Sequence, residues 1–120
     1  MKSCIKKYHP AAEYFFDEGC FITELSNTTD DLGLSIARAR VEPGQTTKWH
    51  YLRGVTERYV ILEGTGEVEV GDLGAQLVTT GDIVIIPPGE RQRIKNTGDS
   101  SLIFLALCTP RFEESVYVSI

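Results

Sequence analysis

The chain has 120 residues, 42% hydrophobic and 24% charged, which is enough apolar content for one packed domain and too much for a disordered chain. Seventeen acidic side chains against twelve basic ones leave a net charge of −5, the wrong sign for binding a phosphate backbone, so no nucleic-acid partner is expected. The longest apolar runs, residues 83–86 and 102–108, fall short of the roughly 18 residues a membrane helix needs, and no basic-then-apolar leader opens the sequence, so a cytoplasmic protein with no membrane partner is expected.

In chain order, Ala11 to Asp17 has the spacing of a single helical turn, Gly19 to Leu25 reads as a short strand, and Asn27 to Asp31 as a polar loop. Residues 1–33 are expected to form an N-terminal segment packed on a barrel of residues 34–110, with 111–120 as a C-terminal tail. Arg38 and Arg40 alternate with Ala37, Ala39 and Val41. Parity leaves both orientations open: inward, the arginines would clamp an anion; outward, the reading preferred, they are surface. From Gly44 onward glycines recur at short intervals between segments rich in Val, Ile and Thr, the signature of an all-β sandwich or barrel. Glu67 to Val70 alternates polar and apolar as a half-buried strand does, Gly71-Asp72-Leu73-Gly74 reads as a hairpin turn, and residues 75–80 return. Ile83 to Ile86 reads as a buried strand stopped by Pro87-Pro88-Gly89. Asn96 to Ser100 is a further turn before the apolar strand from Leu102 to Cys108.

The three cysteines, Cys4, Cys20 and Cys108, fit neither a disulfide framework nor a CxxC zinc site, so reduced thiols are expected, with Cys108 packed in the core. Only two histidines, His9 and His50, are available to any catalytic scheme.

Chemistry concentrates in two stretches. The first is Gly44-x5-His50-Tyr51-Leu52-x4-Glu57-x6-Gly64, the second Gly81-x5-Pro87-x-Gly89-x2-Gln92-x3-Asn96. Side chains alternate along a strand, so residues 48, 50 and 52 share one face, and 57, 59 and 61 can meet them from the next strand. The expected interior is Lys48, His50, Leu52, Glu57, Tyr59, Ile61, Gln92 and Ile94, with Trp49, Tyr51, Arg58, Arg91 and Arg93 pointing away. His50 hydrogen-bonded to Glu57 as a satisfied interior pair is the plain alternative to a ligand site.

The two stretches resemble the paired motifs of the cupin family, keeping every glycine, the proline and the asparagine of that pattern. The resemblance implies a single-domain β-barrel of the jelly-roll or double-stranded β-helix type. In cupins two histidines and a glutamate of the first motif and a histidine of the second commonly hold a metal; the matching positions here are His50, Leu52, Glu57 and Gln92. Leucine cannot ligate and glutamine offers only an amide oxygen, so the resemblance implies at most one weakly held divalent ion (Zn, Mn, Ni or Fe) on His50, Glu57 and Gln92. The function it implies is an isomerase- or epimerase-like enzyme acting on a small polar metabolite such as a sugar or hydroxy-acid derivative. His50 or Glu57 would be the base and Tyr59 the acid, with Lys48, Leu52, Ile61, Gln92 and Ile94 around the ligand. The alternative is a barrel that binds a small molecule without metal or chemistry. A homodimer is expected through an outer patch of Trp49, Tyr51, Val60 and Leu62, with the strand near residues 19–25 a candidate for pairing with a neighbouring subunit.

Overall fold

Alternating burial along nearly every strand sorts the chain into two antiparallel sheets whose inner faces meet. The computed structural model describes all 120 residues. Its strands are β1 (Tyr14–Phe16), β2 (Cys20–Ser26), β3 (Ser35–Val41), β4 (His50–Leu52), β5 (Thr56–Glu63), β6 (Thr65–Val70), β7 (Gln76–Thr79), β8 (Ile83–Ile86), β9 (Gln92–Asn96), β10 (Leu102–Thr109) and β11 (Tyr117–Ser119). One sheet runs β1-β2-β3-β10-β5-β8 and the other β11-β4-β9-β6-β7, a jelly-roll barrel. The only helical pieces are single 3-10 turns at Pro10–Ala12 and Glu114–Val116. No helix is long and apolar enough to cross a membrane.

The turns explain the glycine spacing. At Gly64 the backbone takes a φ of +88°, and a Cβ there would lie 2.9 Å from the Ser101 carbonyl oxygen, so only glycine links β5 to β6. The motif asparagine is structural as well. Asn96 is buried, donates from Nδ2 to the carbonyls of Val41 (2.9 Å) and Ser100 (2.7 Å), and accepts the Gly98 N–H at 2.9 Å, tying β9 to the ends of β3 and the β9–β10 turn.

Registered rows fill one half of the barrel. Ala39, Phe104 and Ile61 face inward side by side across β3, β10 and β5, followed by Val41 and Leu102, and Val68, Val70 and Ile94 close on them from the other sheet. Two rows away the inward residues shrink: Ala37 lies directly opposite Ala106, and Ser35 opposite Cys108. Core packing therefore stops short of that end of the barrel.

Several expectations are corrected. Residues 14–16 form a strand where a helical turn was expected, because β1 hydrogen-bonds to β2 through Tyr14–Ile22 and Phe16–Cys20. The strand near residues 19–25 pairs within its own chain, with β1 on one side and β3 on the other. The segment after residue 110 supplies β11, which extends the second sheet by pairing Tyr117 with Leu52 and Ser119 with His50. β8 is an edge strand buried on one face only, with Ile83 and Ile85 exposed. The orientation that parity left open is the preferred one: Arg38 and Arg40 face outward, held by Glu13, while Ala39 and Val41 enter the core. Tyr51 and Val60 lie in different sheets, so the four outer residues cannot form one patch.

Candidate functional site

The unfilled end of the barrel is a cavity of about 70 Å³. On a scale where one water takes roughly 10–15 Å³, that is room for several waters or one small metabolite. Small side chains make the space: Ser35 and Ala37 from β3, Ala106 and Cys108 from β10. His50 and Leu52 from β4 face Glu57 from β5. Aromatic groups close the mouth, with Tyr14 and Phe16 from β1, Phe112 from the segment after β10, and Tyr117 from β11. Glu18, in the β1–β2 turn, and Ile22 and Glu24 of β2 complete the wall.

His50 is 3% exposed, and both of its ring nitrogens are engaged. Nδ1 lies 2.9 Å from the Lys48 carbonyl oxygen, and a carbonyl only accepts, so Nδ1 carries a proton. Nε2 meets Glu18 Oε1 at 2.7 Å, so a second proton lies between them, giving an imidazolium held by a carboxylate. Burial disfavours that charge. The hydrogen bond and charge of Glu18 outweigh it, and the pKa of His50 stays above its ordinary value. The ring also stacks on Tyr117 at 4.8 Å between centroids and 17° between planes.

Glu57 sits on the opposite wall in register with Cys108, whose thiol donates weakly to Oε2 at 3.8 Å. Its Oε1 is buried and has no hydrogen-bond partner. Burial first, and the negative charge of Glu18 second, push the Glu57 carboxyl up to about 7, although His50, Gln92 and Cys108 pull the other way. Glu18 has a thiol partner of its own, Cys20 Sγ at 3.3 Å. Both thiols are buried, and burial raises their pKa far above the ordinary range, so they act as neutral donors and not as nucleophiles. Glu24 lies at the exposed rim; partial burial raises its pKa despite Asn27, Arg111 and Tyr14 nearby.

Of the residues singled out from the sequence, His50, Leu52 and Glu57 border the cavity. Tyr59 and Gln92 stand outside its lining, both buried, with the Tyr59 hydroxyl donating to Gln92 Oε1 and the Gln92 amide nitrogen left without a partner. Ile61 and Ile94 belong to the packed core. Lys48 is the misplaced one: its side chain is exposed and pairs with Asp17 at 3.6 Å. The alternation fails there because β4 starts only at His50; the preceding inward residue is Thr47, whose hydroxyl accepts the Ile94 N–H. Trp49 lies on the outside under the guanidinium groups of Arg91 (4.6 Å) and Arg93 (4.3 Å).

Sequence reasoning missed Glu18, Glu24 and the four aromatic residues of the mouth. Asp17-Glu18-Gly19 looks like a solvated turn, and the one available signal was indirect: a buried histidine needs a partner, and the motif's own Glu57 stands on the opposite wall.

The donor set does not fit a divalent metal ion. Leucine stands at the second histidine position, neither nitrogen of His50 offers a free lone pair, and Gln92 Oε1 is occupied by Tyr59. No three His, Cys, Asp or Glu side chains converge to ligating distance.

Residues 37–108 match the family model of the cupin domain. An uncharacterized protein of Methanocaldococcus jannaschii is 31% identical over 114 residues, which is 93% of this chain and 90% of its own. An oxalate-binding protein of Thermotoga maritima is 36% identical over 72 residues, 59% of this chain and 58% of its own. Among solved structures, the nucleoside dehydratase Pac13 superposes with a TM-score of 0.78 at 18% identity, covering 95% of this chain and 89% of its own, a likeness of fold. The matched stretch ends short of the cavity mouth: Tyr14, Phe16, Glu18, Glu24, Phe112 and Tyr117 all lie outside it.

Proposed function

The chain belongs to the cupin family, and from that premise we propose that it binds a small polar metabolite at the open end of its barrel and moves a proton on it without a metal. Glu57 is the acid–base group. The observation that carries this reading is its carboxyl on the cavity wall, with one oxygen unpartnered and a pKa raised to about 7. A carboxyl of that pKa is half ionised near neutral pH, where an acid–base group works in both directions. An isomerase- or epimerase-like reaction needs that property: the carboxylate takes a proton from a carbon beside a carbonyl and the acid returns one. His50 is a positioning and charge-bearing residue in this scheme, because its N–H groups are committed to Glu18 and Lys48.

A second reading, ligand binding with no chemistry, is favoured by the same commitment of both imidazole nitrogens, which leaves the site a single free proton acceptor. Solvent-deuterium exchange separates the two. Small hydroxy acids, keto sugars and amino ketones that bind the protein, detected by saturation-transfer NMR, are incubated in D2O. Uptake of deuterium at a carbon with the native protein, and its loss in Glu57→Gln with binding retained, supports the acid–base reading. Binding with no exchange in any ligand establishes the binding module.

A further inference from the structure

We infer that the ligand of this cavity is an organic cation, a small ammonium compound whose charged nitrogen lies in the mouth between Glu24 and the aromatic side chains. This rests on the reading of the cavity as the ligand site and adds the charge class of what enters it. Three glutamates, Glu18, Glu24 and Glu57, border the cavity, and neither lysine nor arginine does. The arginines that a sequence reading could aim inward, Arg38 and Arg40, lie outside on Glu13, and Lys48 lies outside on Asp17. The one cation in the wall, His50, is neutralised by Glu18 at 2.7 Å. Arg111, the cation near Glu24, lies outside the lining and is held by Asn27 and Glu113, so Glu24 and the ionised fraction of Glu57 leave the cavity with a surplus of negative charge.

Two further features make that surplus a recognition device. Glu57 Oε1 is buried in a residue only 9% exposed and has no protein partner, so a buried acceptor awaits a donor. The mouth is lined by the rings of Tyr14, Phe16, Phe112 and Tyr117, with Phe16 edge-on to Tyr117 at 5.3 Å between centroids. Aromatic faces beside carboxylates attract ammonium groups and favour them further once water is excluded. An anion of the same size would face uncompensated like charge in a low-dielectric wall. The related Thermotoga maritima protein is named for oxalate, a dianion; the wall described here is the opposite of what a dianion needs.

Benzylammonium and benzoate are a matched pair of probes, nearly equal in shape and opposite in charge, with tetramethylammonium and oxalate as a second pair. Isothermal titration at pH 7.5 is expected to give benzylammonium at least tenfold tighter than benzoate, and oxalate is expected not to bind. Glu24→Gln, at the exposed rim and safe for folding, is expected to weaken benzylammonium severalfold. Saturation with benzylammonium is expected to lower the Glu57 titration midpoint, followed by carbon-13 NMR, by about one unit, equivalent to a tenfold change in affinity between its protonation states. Benzoate or oxalate binding as tightly as benzylammonium overturns the inference. So does no binding of either ammonium at 100 mM, or binding unchanged in both Glu24→Gln and Glu57→Gln. Failure of the acid–base reading looks different: Glu57 would titrate near 4.5 in the free protein whichever probe binds.

Discussion

Glu18 Oε1 lies 2.7 Å from His50 Nε2, a pair that joins the turn after β1 to the first residue of β4 across 32 positions of sequence. The folded pKa of His50 is raised above its unfolded value. The pair's contribution to stability is therefore complete below about pH 6.5 and fades as pH climbs through the raised value. Glu18→Gln is expected to cost about 1–3 kcal/mol at pH 6, since one partner of a buried pair is lost while a hydrogen-bond acceptor remains. The deficit shrinks toward pH 9. Urea unfolding of both proteins at the two pH values measures it, and a deficit independent of pH would show that His50 is not charged in the fold.

Glu57 carries the complementary signature. Its carboxyl, raised to about 7 from 4.5, holds a proton in the folded protein that the unfolded chain has already released. Stabilisation from this group is complete below about pH 4.5 and gone above about pH 7, a change of about 3 kcal/mol across the window. In Glu57→Gln that change disappears, so the stability difference between variant and native protein moves in the variant's favour as pH rises from 4.5 to 8. Parallel stability curves would refute the raised pKa.

Metal binding can be built from the positions at which this sequence departs from the cupin pattern. Leu52→His with Gln92→His places imidazoles on the wall that already carries His50. Equilibrium dialysis against zinc or manganese, with metal counted by plasma mass spectrometry, is expected to give near-stoichiometric uptake in the double variant and far less in the native protein. Adding Glu18→Gln releases His50 and is expected to tighten binding further. Leu52 packs with Val55 and Cys108, so a lower melting temperature accompanies the gain.

On the outer face of the six-stranded sheet an apolar strip runs across β10, β5 and β8, bordered by Arg38 of β3. Leu105, Val60 and Ile83 lie in one registered row, Leu107 and Ile85 flank Arg58 in the next, and Ile83 and Ile85 are 56% and 64% exposed. We propose that this face pairs with a second copy of the chain to give a homodimer. Sedimentation velocity is expected to show a dimer for the native protein and a monomer for Ile83→Lys with Ile85→Lys. A native monomer at 100 μM would contradict the proposal.

What could be read from the sequence follows from how far each signal reaches. β6 was legible from its regular alternation, and β8 and β10 from their apolar runs bounded by turns that require glycine or proline; the exposed face of β8 was not, because an unbroken run carries no alternation. The wall positions of His50, Leu52 and Glu57 followed from alternation within β4 and β5, although these strands lie in different sheets and face each other across the cavity instead of pairing side by side. Lys48 did not, because the chain before β4 is irregular and inward positions 47 and 50 are three apart, a spacing no regular strand gives. The mouth was illegible for a different reason. Tyr117 reaches the cavity by pairing with Leu52 of β4, far away in sequence, and Tyr14 and Glu18 ride on a short hairpin placed there by the pairing of β2 with β3; short exposed segments carry no periodic trace of their eventual neighbours.

The sulfur atoms offer a readout of the closed state. Cys20 and Cys108 are sealed behind the two site carboxylates with their thiols held neutral, whereas Cys4 is open to solvent. An aromatic disulfide reagent should thus titrate one equivalent per native molecule at once and three after denaturation. Because each hidden thiol touches a different carboxylate, the lag before the second and third equivalents times how often either wall of the cavity opens, and a ligand that seats there should lengthen it.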